Sequence, residues 1–145
     1  MYKRILIATD GSPLSDKAVE SGLSLAALTG ASVVALKVVP RYPLTYFEGG
    51  MTVAMSEVNR IEKEWVAEAQ EAVNAVKSAG QKKAVKVKAV TVKSDLIAES
   101  IMATAKRSKC DLIVMASHGR KGLKRLLLGS ETQQVLTHST IPVLI

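Results

Sequence analysis

Apolar residues fall along this chain in two alternating kinds of run. Short, almost unbroken runs occur at Lys3 to Thr9, with Ile5-Leu6-Ile7-Ala8 at their centre, at Ser32 to Val39, at Asp111 to Met115 and at Ile141 to Ile145. Runs of that length, rich in Val, Ile and Leu, predict strands buried on both faces. Between them apolar residues recur every three or four positions, the period of a helix. Leu14, Ala18, Gly22 and Leu25 mark a first helix reaching Thr29, with Ser12 as N-cap, Pro13 at the first helical position, Asp16 in the first turn and Gly30 as the stop. Val58, Ile61, Trp65, Ala69, Ala72 and Val76 mark a long second helix from Met55 to Ala79, ended by Gly80. Its Trp65 reads as core. Ser94 caps a third helix through Lys109, with Ile97, Ile101 and Ala105 inward. Ser130 to His138 is a fourth, and Ser130 with Gln133 has capping-box spacing.

Val85 to Val92 is different. It alternates apolar and basic residues at its start, which predicts a strand with one exposed face near a sheet edge. Strands alternating with helices predict an α/β fold: a single doubly wound five-stranded parallel sheet with helices on both faces. Ligands of such sheets bind beyond the carboxyl ends of the strands, where the winding reverses. Three loops are expected there: Thr9-Asp10-Gly11, Val38-Val39-Pro40 and Ala116 to Gly129. The one long irregular segment, Arg41 to about Thr52, holds Tyr42, Tyr46, Phe47 and Gly49-Gly50 and reads as a lid, an interaction surface or a connection.

Composition narrows the class. The 145 residues suit one domain, 1–145, and 48% are apolar, enough for a sizeable core. No apolar run approaches the ~20 residues that span a bilayer, so no membrane partner is expected. The single cysteine, Cys110, excludes an internal disulfide, reads as a filler at a strand start and fits a reducing cytoplasm. No Cys/His cluster has metal-ligand spacing. The net charge of +7 raises nucleic acid as a partner, but the lysines and arginines are spread and no aromatic residues interleave to stack bases. Solvated faces and one anion site account for the charge.

The stretch that carries chemistry is Met115-Ala116-Ser117-His118-Gly119, followed by Gly129-Ser130. A buried strand ends there and a helix begins. Helix N-termini present unpaired N–H groups and partial positive charge, the setting for a phosphate. Gly119 and Gly129 lack a Cβ, so a positive φ and close approach to a ligand are expected of both. Lys121, Lys124 and Arg125 lie between them. Asp10, at another strand end, is placed to accept from ribose hydroxyls or hold Mg²⁺ through water, and equally to close an Asx-turn on the Gly11 and Ser12 amides.

Over essentially its whole length the chain resembles the universal stress protein family. The resemblance rests on Ile5 to Ser12, on Asp111 to Met115, on Ser117-His118-Gly119 through Leu126-Leu127-Leu128-Gly129-Ser130, and on His138 to Leu144. It implies a Rossmann-like fold of the adenine-nucleotide-binding type. The nucleotide-binding branch carries G-x-x-G, nine residues, then G and Ser or Thr. Here the second glycine falls on Gly119, the third on Gly129 and the hydroxyl on Ser130, while Ala116 replaces the first. The strand-end position of Ala116 suits a negative φ, which alanine adopts. The resemblance assigns ribose or phosphate contacts to Asp10, main-chain adenine contacts to Val38 and the base pocket to Ala8 and Thr9. His118 falls beside the phosphates as a structural or hydrogen-bonding group.

The expected function is that of a cytoplasmic regulatory protein that binds ATP or AMP, with Mg²⁺ as an accompanying ion and little or no catalysis. No P-loop is present and no positioned carboxylate pair can be argued, which leaves slow ATP hydrolysis at most. Alternatives stay open: a dimeric stress-response adaptor that has lost the nucleotide, a flavodoxin-like carrier and a nucleic-acid module. Ile141 to Ile145, an apolar strand with no later segment to cover it, predicts a homodimer, and the resemblance pairs that strand with its own copy.

Overall fold

The structure is a computed structural model that describes residues 1–42, 55–118 and 128–145. Its elements follow the expected alternation: β1 (Arg4–Ala8), α1 (Pro13–Thr29), β2 (Ser32–Val39), α2 (Met55–Lys82), β3 (Val87–Lys93), α3 (Ile97–Arg107), β4 (Leu112–Val114), α4 (Ser130–His138) and β5 (Val143–Leu144). The five strands form one sheet in the order β3-β2-β1-β4-β5, and every pairing is parallel. The chain winds outward from β1 to β3, crosses back over β1 and winds the other way through β4 and β5. This is the doubly wound fold that the alternation predicted, and the winding reverses between β1 and β4.

Side chains leave a strand alternately to its two faces. Ile5 and Ile7 of β1, Val33 and Ala35 of β2, Val87 of β3 and Leu112 and Val114 of β4 therefore share a core with Val19, Leu23 and Ala26 of α1 and Val73 and Val76 of α2. Leu6, Val34, Leu36, Val38, Ile113 and Met115 build the opposite core with Ala98, Ile101 and Ala105 of α3 and Val135 of α4. Cys110 enters this second core at the start of β4, and burial pushes its thiol up to about 11. It is protonated at neutral pH, as befits a filler. Asp111 pins β1 to β4: its carboxylate accepts from the Lys3 N–H at 2.8 Å and the Arg4 N–H at 3.1 Å.

α1 begins as its sequence predicts. The Ser12 hydroxyl accepts from the Ser15 N–H, Pro13 opens the helix, and Gly30 closes it with φ of 74°. The buried stripe is displaced by a position, however. Ser15, Val19, Gly22, Leu23 and Ala26 face the sheet, while Leu14, Ala18 and Leu25 are half-buried on its flanks. α2 does not stop at Gly80. The helix runs on to Lys82 and Gly80 is buried inside it, because a Cβ there would come within 2.4 Å of Val87 Cγ2 and 3.2 Å of the Val85 carbonyl. The chain leaves through Ala84, whose φ is 56°. Trp65 is half-buried and stacks on Tyr42, with ring centroids 6.0 Å apart, rather than sitting in the core. The third helix starts at Ile97, later than Ser94, whose hydroxyl instead accepts from the Leu96 N–H, and it ends at Arg107. β3 lies at a sheet edge, as its alternation predicted. Residues 43–54, the bulk of the expected irregular segment, lie outside the described residues.

Two backbone positions give opposite expectations. Gly80→Ala should cost about 1–3 kcal/mol, the usual penalty for forcing atoms into a packed interior. Lys109 follows α3 with φ of 57°, a left-handed conformation. That conformation costs a side-chain-bearing residue about 1–2 kcal/mol. Glycine adds roughly 0.5–1 kcal/mol of chain entropy, so the balance favours Lys109→Gly by up to about 1 kcal/mol. Thermal melts would read this as a gain of up to about 4 °C, against a clear loss for Gly80→Ala.

Candidate functional site

The reversal of winding places the carboxyl ends of β1 and β4 side by side, with that of β2 on the far side of β1. β1 delivers Ala8, Thr9 and Asp10. Ala8 is half-buried against the second core, and the Thr9 N–H continues the ladder by donating to the Leu36 carbonyl at 2.9 Å. Val38 lies two residues beyond Leu36 on β2, buried in the same core. Ala8 and Val38 thus share that core, and Thr9 and Asp10 follow Ala8 at the end of β1.

The turn after Thr9 is wound around three buried hydroxyls. Thr9 Oγ1 and Ser15 Oγ share a hydrogen bond of 2.6 Å. Thr9 Oγ1 also accepts from the Gly11 N–H, Ser15 Oγ from the Asp10 N–H, and Ser12 Oγ from the Ser15 N–H. Asp10 Oδ1 accepts from the Ser12 N–H at 2.9 Å, so the Asx-turn is formed. Gly11 adopts φ of 78°, where a Cβ is strained. Asp10 is thereby held at the sheet end, half-buried, by a turn in which the Asp10, Gly11 and Ser12 N–H groups are all bonded. Sequence reading singled out Ser12 but missed Ser15. Its signal was a hydroxyl at a position that faces the sheet.

The end of β4 is fastened to the start of α4. The Ala116 carbonyl accepts from Thr132 Oγ1 at 3.0 Å, and the Ser117 carbonyl accepts from the Gly129 N–H at 2.8 Å. Thr132 is buried and was not anticipated. Ala116 has no positive φ, so its Cβ is not strained. Ser117 Oγ lies 3.1 Å from His118 Nδ1, and His118 is half-buried.

Gly129 and Ser130 are placed differently from expectation. Gly129 has φ of −61° and is the N-cap itself. Glycine suits closeness there, not a left-handed turn: a Cβ would crowd His118, at 3.2 Å from its Cα and 3.4 Å from its Cβ. Ser130 is the first helical residue and forms no capping box. Its hydroxyl donates to Glu131 Oε2, and the Gln133 N–H bonds the Gly129 carbonyl. Among the described residues α4 therefore begins with no side-chain cap on its first-turn N–H groups. Glu131 stands in that first turn and is exposed. Gly119, Lys121, Lys124 and Arg125 lie outside the described residues. Among the described residues no three His, Cys, Asp or Glu side chains group as metal ligands, and no helix is long and apolar enough to cross a membrane.

These features define a class: a doubly wound α/β domain whose switch point joins an Asx-turn to an uncapped helix N-terminus. The chain belongs to the universal stress protein family, which it matches over residues 1–145. It is 34% identical to the universal stress protein MJ0531 of Methanocaldococcus jannaschii over 147 residues, which span 100% of this chain and 82% of that one. MJ0577 of the same organism is 29% identical, and its solved structure superposes with a TM-score of 0.81 over 99% of this chain and 94% of that chain. The fold is shared as well with UspA of Lactobacillus plantarum, at a TM-score of 0.83 and 23% identity over 99% and 96% of the two chains.

The hydroxyl network gives a direct expectation. Ser15→Ala strips partners from the buried Thr9 hydroxyl and from the Asp10 N–H, and unsatisfied buried groups of this kind cost about 1–3 kcal/mol. Denaturant titration of Ser15→Ala against the parent should show a lower midpoint with an unchanged slope.

Proposed function

We propose that this chain is an adenine-nucleotide-binding regulatory protein of its family, acting as a homodimer in the cytoplasm as a single domain. The observation that carries the reading is the start of α4. Among the described residues it has no side-chain cap, and it approaches the end of β4 so closely that even a Cβ at position 129 would crowd His118. An anion at such a helix start is stabilised by the dipole and by unpaired N–H groups. Relatives add support. A universal stress protein at 20% identity was solved in complex with cAMP, and one from Archaeoglobus fulgidus at 17% identity in complex with dAMP.

In this reading Gly129, Ser130 and Ala116, with Gly119, hold the phosphates of ATP or AMP. His118 donates a hydrogen bond beside them. Asp10 receives the ribose hydroxyls and, through water, any Mg²⁺ that accompanies the phosphates. Ala8, Thr9 and Val38 border the base. Binding itself is the function, and the phosphate count is the signal. One observation favours a second reading, an adaptor that takes no nucleotide: the Glu131 carboxylate already complements the α4 dipole and would repel a phosphate.

Calorimetric titration separates the two. ATP should bind more tightly than adenosine, by a margin that shrinks with salt. Gly129→Val should abolish binding with the fold retained, while Ala116→Gly should bind equally or better. Equal affinity for ATP and adenosine at every salt concentration would refute the phosphate assignment. No binding at all would leave the adaptor.

The dimer rests on the unequal edges of the sheet. β3 carries Lys88 and Lys93, and Lys86 precedes it, which blunts that edge. Among the described residues β5 pairs on one side only, with β4, and Leu144 and Ile145 are 42% and 45% exposed. An apolar open edge is a template for a second chain. Sedimentation at micromolar concentration should give a dimer for the parent and a monomer for Leu144→Glu. A monomeric parent would refute it.

A further inference from the structure

One cavity among the described residues lies away from the switch point. It is a trough of about 650 Å³ between α1 and α2, touching the switch point only at Thr9 and Gly11. Its floor is apolar, made by Val19 and Leu23 of α1 and by Val76 with the small side chains of Ala72 and Ala79 from α2. Its rim is acidic. Asp16 and Glu20 stand four apart on α1, and Glu68 and Glu71 three apart on α2, so each pair shares one helix face. Four of the chain's thirteen carboxylates thus converge on one trough of a molecule whose net charge is +7.

None of the four makes an ion pair among the described residues. The contrast within α2 is informative. Glu57 and Glu64 are bridged by Arg60, and Glu62 by Lys93, so the carboxylates of the amino-terminal half have cations. Glu68 and Glu71, over the trough, have none. Like charges at these spacings disfavour a helix unless a cation comes between them. Lys83 is the one cation among the described lining residues, beyond the end of α2.

We propose that this trough docks a basic amphipathic helical segment of a partner protein, with apolar side chains on the alanine and valine floor and Lys or Arg on the four carboxylates. The dimensions suit such an occupant. From Glu68 to Ala79 the trough follows three turns of α2, about 16 Å, the length over which a docked helix presents apolar anchors three and four residues apart. The volume falls in the range of about 300–1,000 Å³ that takes a few anchoring side chains. The site is independent of nucleotide, and its test is run without any.

The probe is a fluorescein-labelled helix of about 15 residues, built from Leu at every third or fourth position and Lys between. Fluorescence anisotropy with the full chain should show saturable binding, and a peptide with Glu for Lys should show none. The triple variant Glu20→Gln, Glu68→Gln, Glu71→Gln should bind at least about tenfold more weakly, since each rim charge contributes to encounter and hold. The triple variant Glu57→Gln, Glu64→Gln, Glu99→Gln makes the same change of net charge away from the trough and should bind as the parent does. Ala75→Trp, which fills the trough from an exposed position, should abolish binding with an unchanged circular dichroism spectrum. Equal losses in the two triple variants would reduce the effect to net charge and overturn the proposal. So would undiminished binding by Ala75→Trp, or no saturable binding by the parent. A simple polyamine that competes as strongly as the peptide would mark an amine site and overturn it as well.

Discussion

The structure hangs from β1, and from its being buried on both faces at once. Ile5, Leu6 and Ile7 have no solvent exposure, and they alternate between the two cores. Because the side-chain period is two, a slip of one residue would exchange the cores and leave neither filled. β1 pairs with β2 on one side and β4 on the other, so a single register fixes both windings. The Asp111 carboxylate on the Lys3 and Arg4 N–H groups locks that register at the amino end. At the carboxyl end, the place where β1 and β4 stop is the switch point. The candidate site is thus a consequence of how the central strand is buried.

What was legible in the sequence follows from physics that is local. Buried strands declare themselves as apolar runs, and the N-cap Ser12, the Pro13 start and the Gly30 stop each act within a few residues. What escaped was decided across the fold. Gly80 looked like a stop, but its reason is Val87 on a different element, which leaves no room for a Cβ. The inward stripe of α1 includes Ser15, which apolar counting rejects and which burial permits only because Thr9 receives its hydroxyl. Thr132 escaped for the same reason, its partner being the Ala116 carbonyl sixteen residues away. The capping box expected at Ser130 does not form, because Gly129, bonded through its N–H to the Ser117 carbonyl, takes the N-cap position and leaves Ser130 inside the helix.

The two layers of helix are finished differently. On one face Val135 of α4 joins Ala98, Ile101 and Ala105 of α3 in one continuous core. On the other, α1 and α2 each pack on the sheet but meet one another sparingly, and the small side chains of α2 leave the space between them open. The first face has to hold the start of α4 at the end of β4, which it does through Val135 in the core and the bonds of Thr132 and Gly129 to the Ala116 and Ser117 carbonyls. No such demand falls on α2 beyond its contacts with β2 and β3, so a trough there does not disturb the sheet.

Thr9 and Gly11 belong to both surfaces, which raises the question of whether an occupant of one would be felt at the other. Coupling between two sites needs an element with two arrangements, each preferred by a different ligand. The turn between Thr9 and Ser15 is densely bonded in the arrangement it has. The Thr9, Ser12 and Ser15 hydroxyls all have partners, the Asp10, Gly11 and Ser12 N–H groups are all spent within the turn, and Gly11 is fixed at a φ that its neighbours could not adopt freely. Moving it would leave several buried polar groups unpaired at once, at about 1–3 kcal/mol each. The turn acts as a wall shared by two rooms. If the switch point takes a nucleotide and the trough a basic helix, as proposed, a signal between them is expected to travel by some other element than this turn.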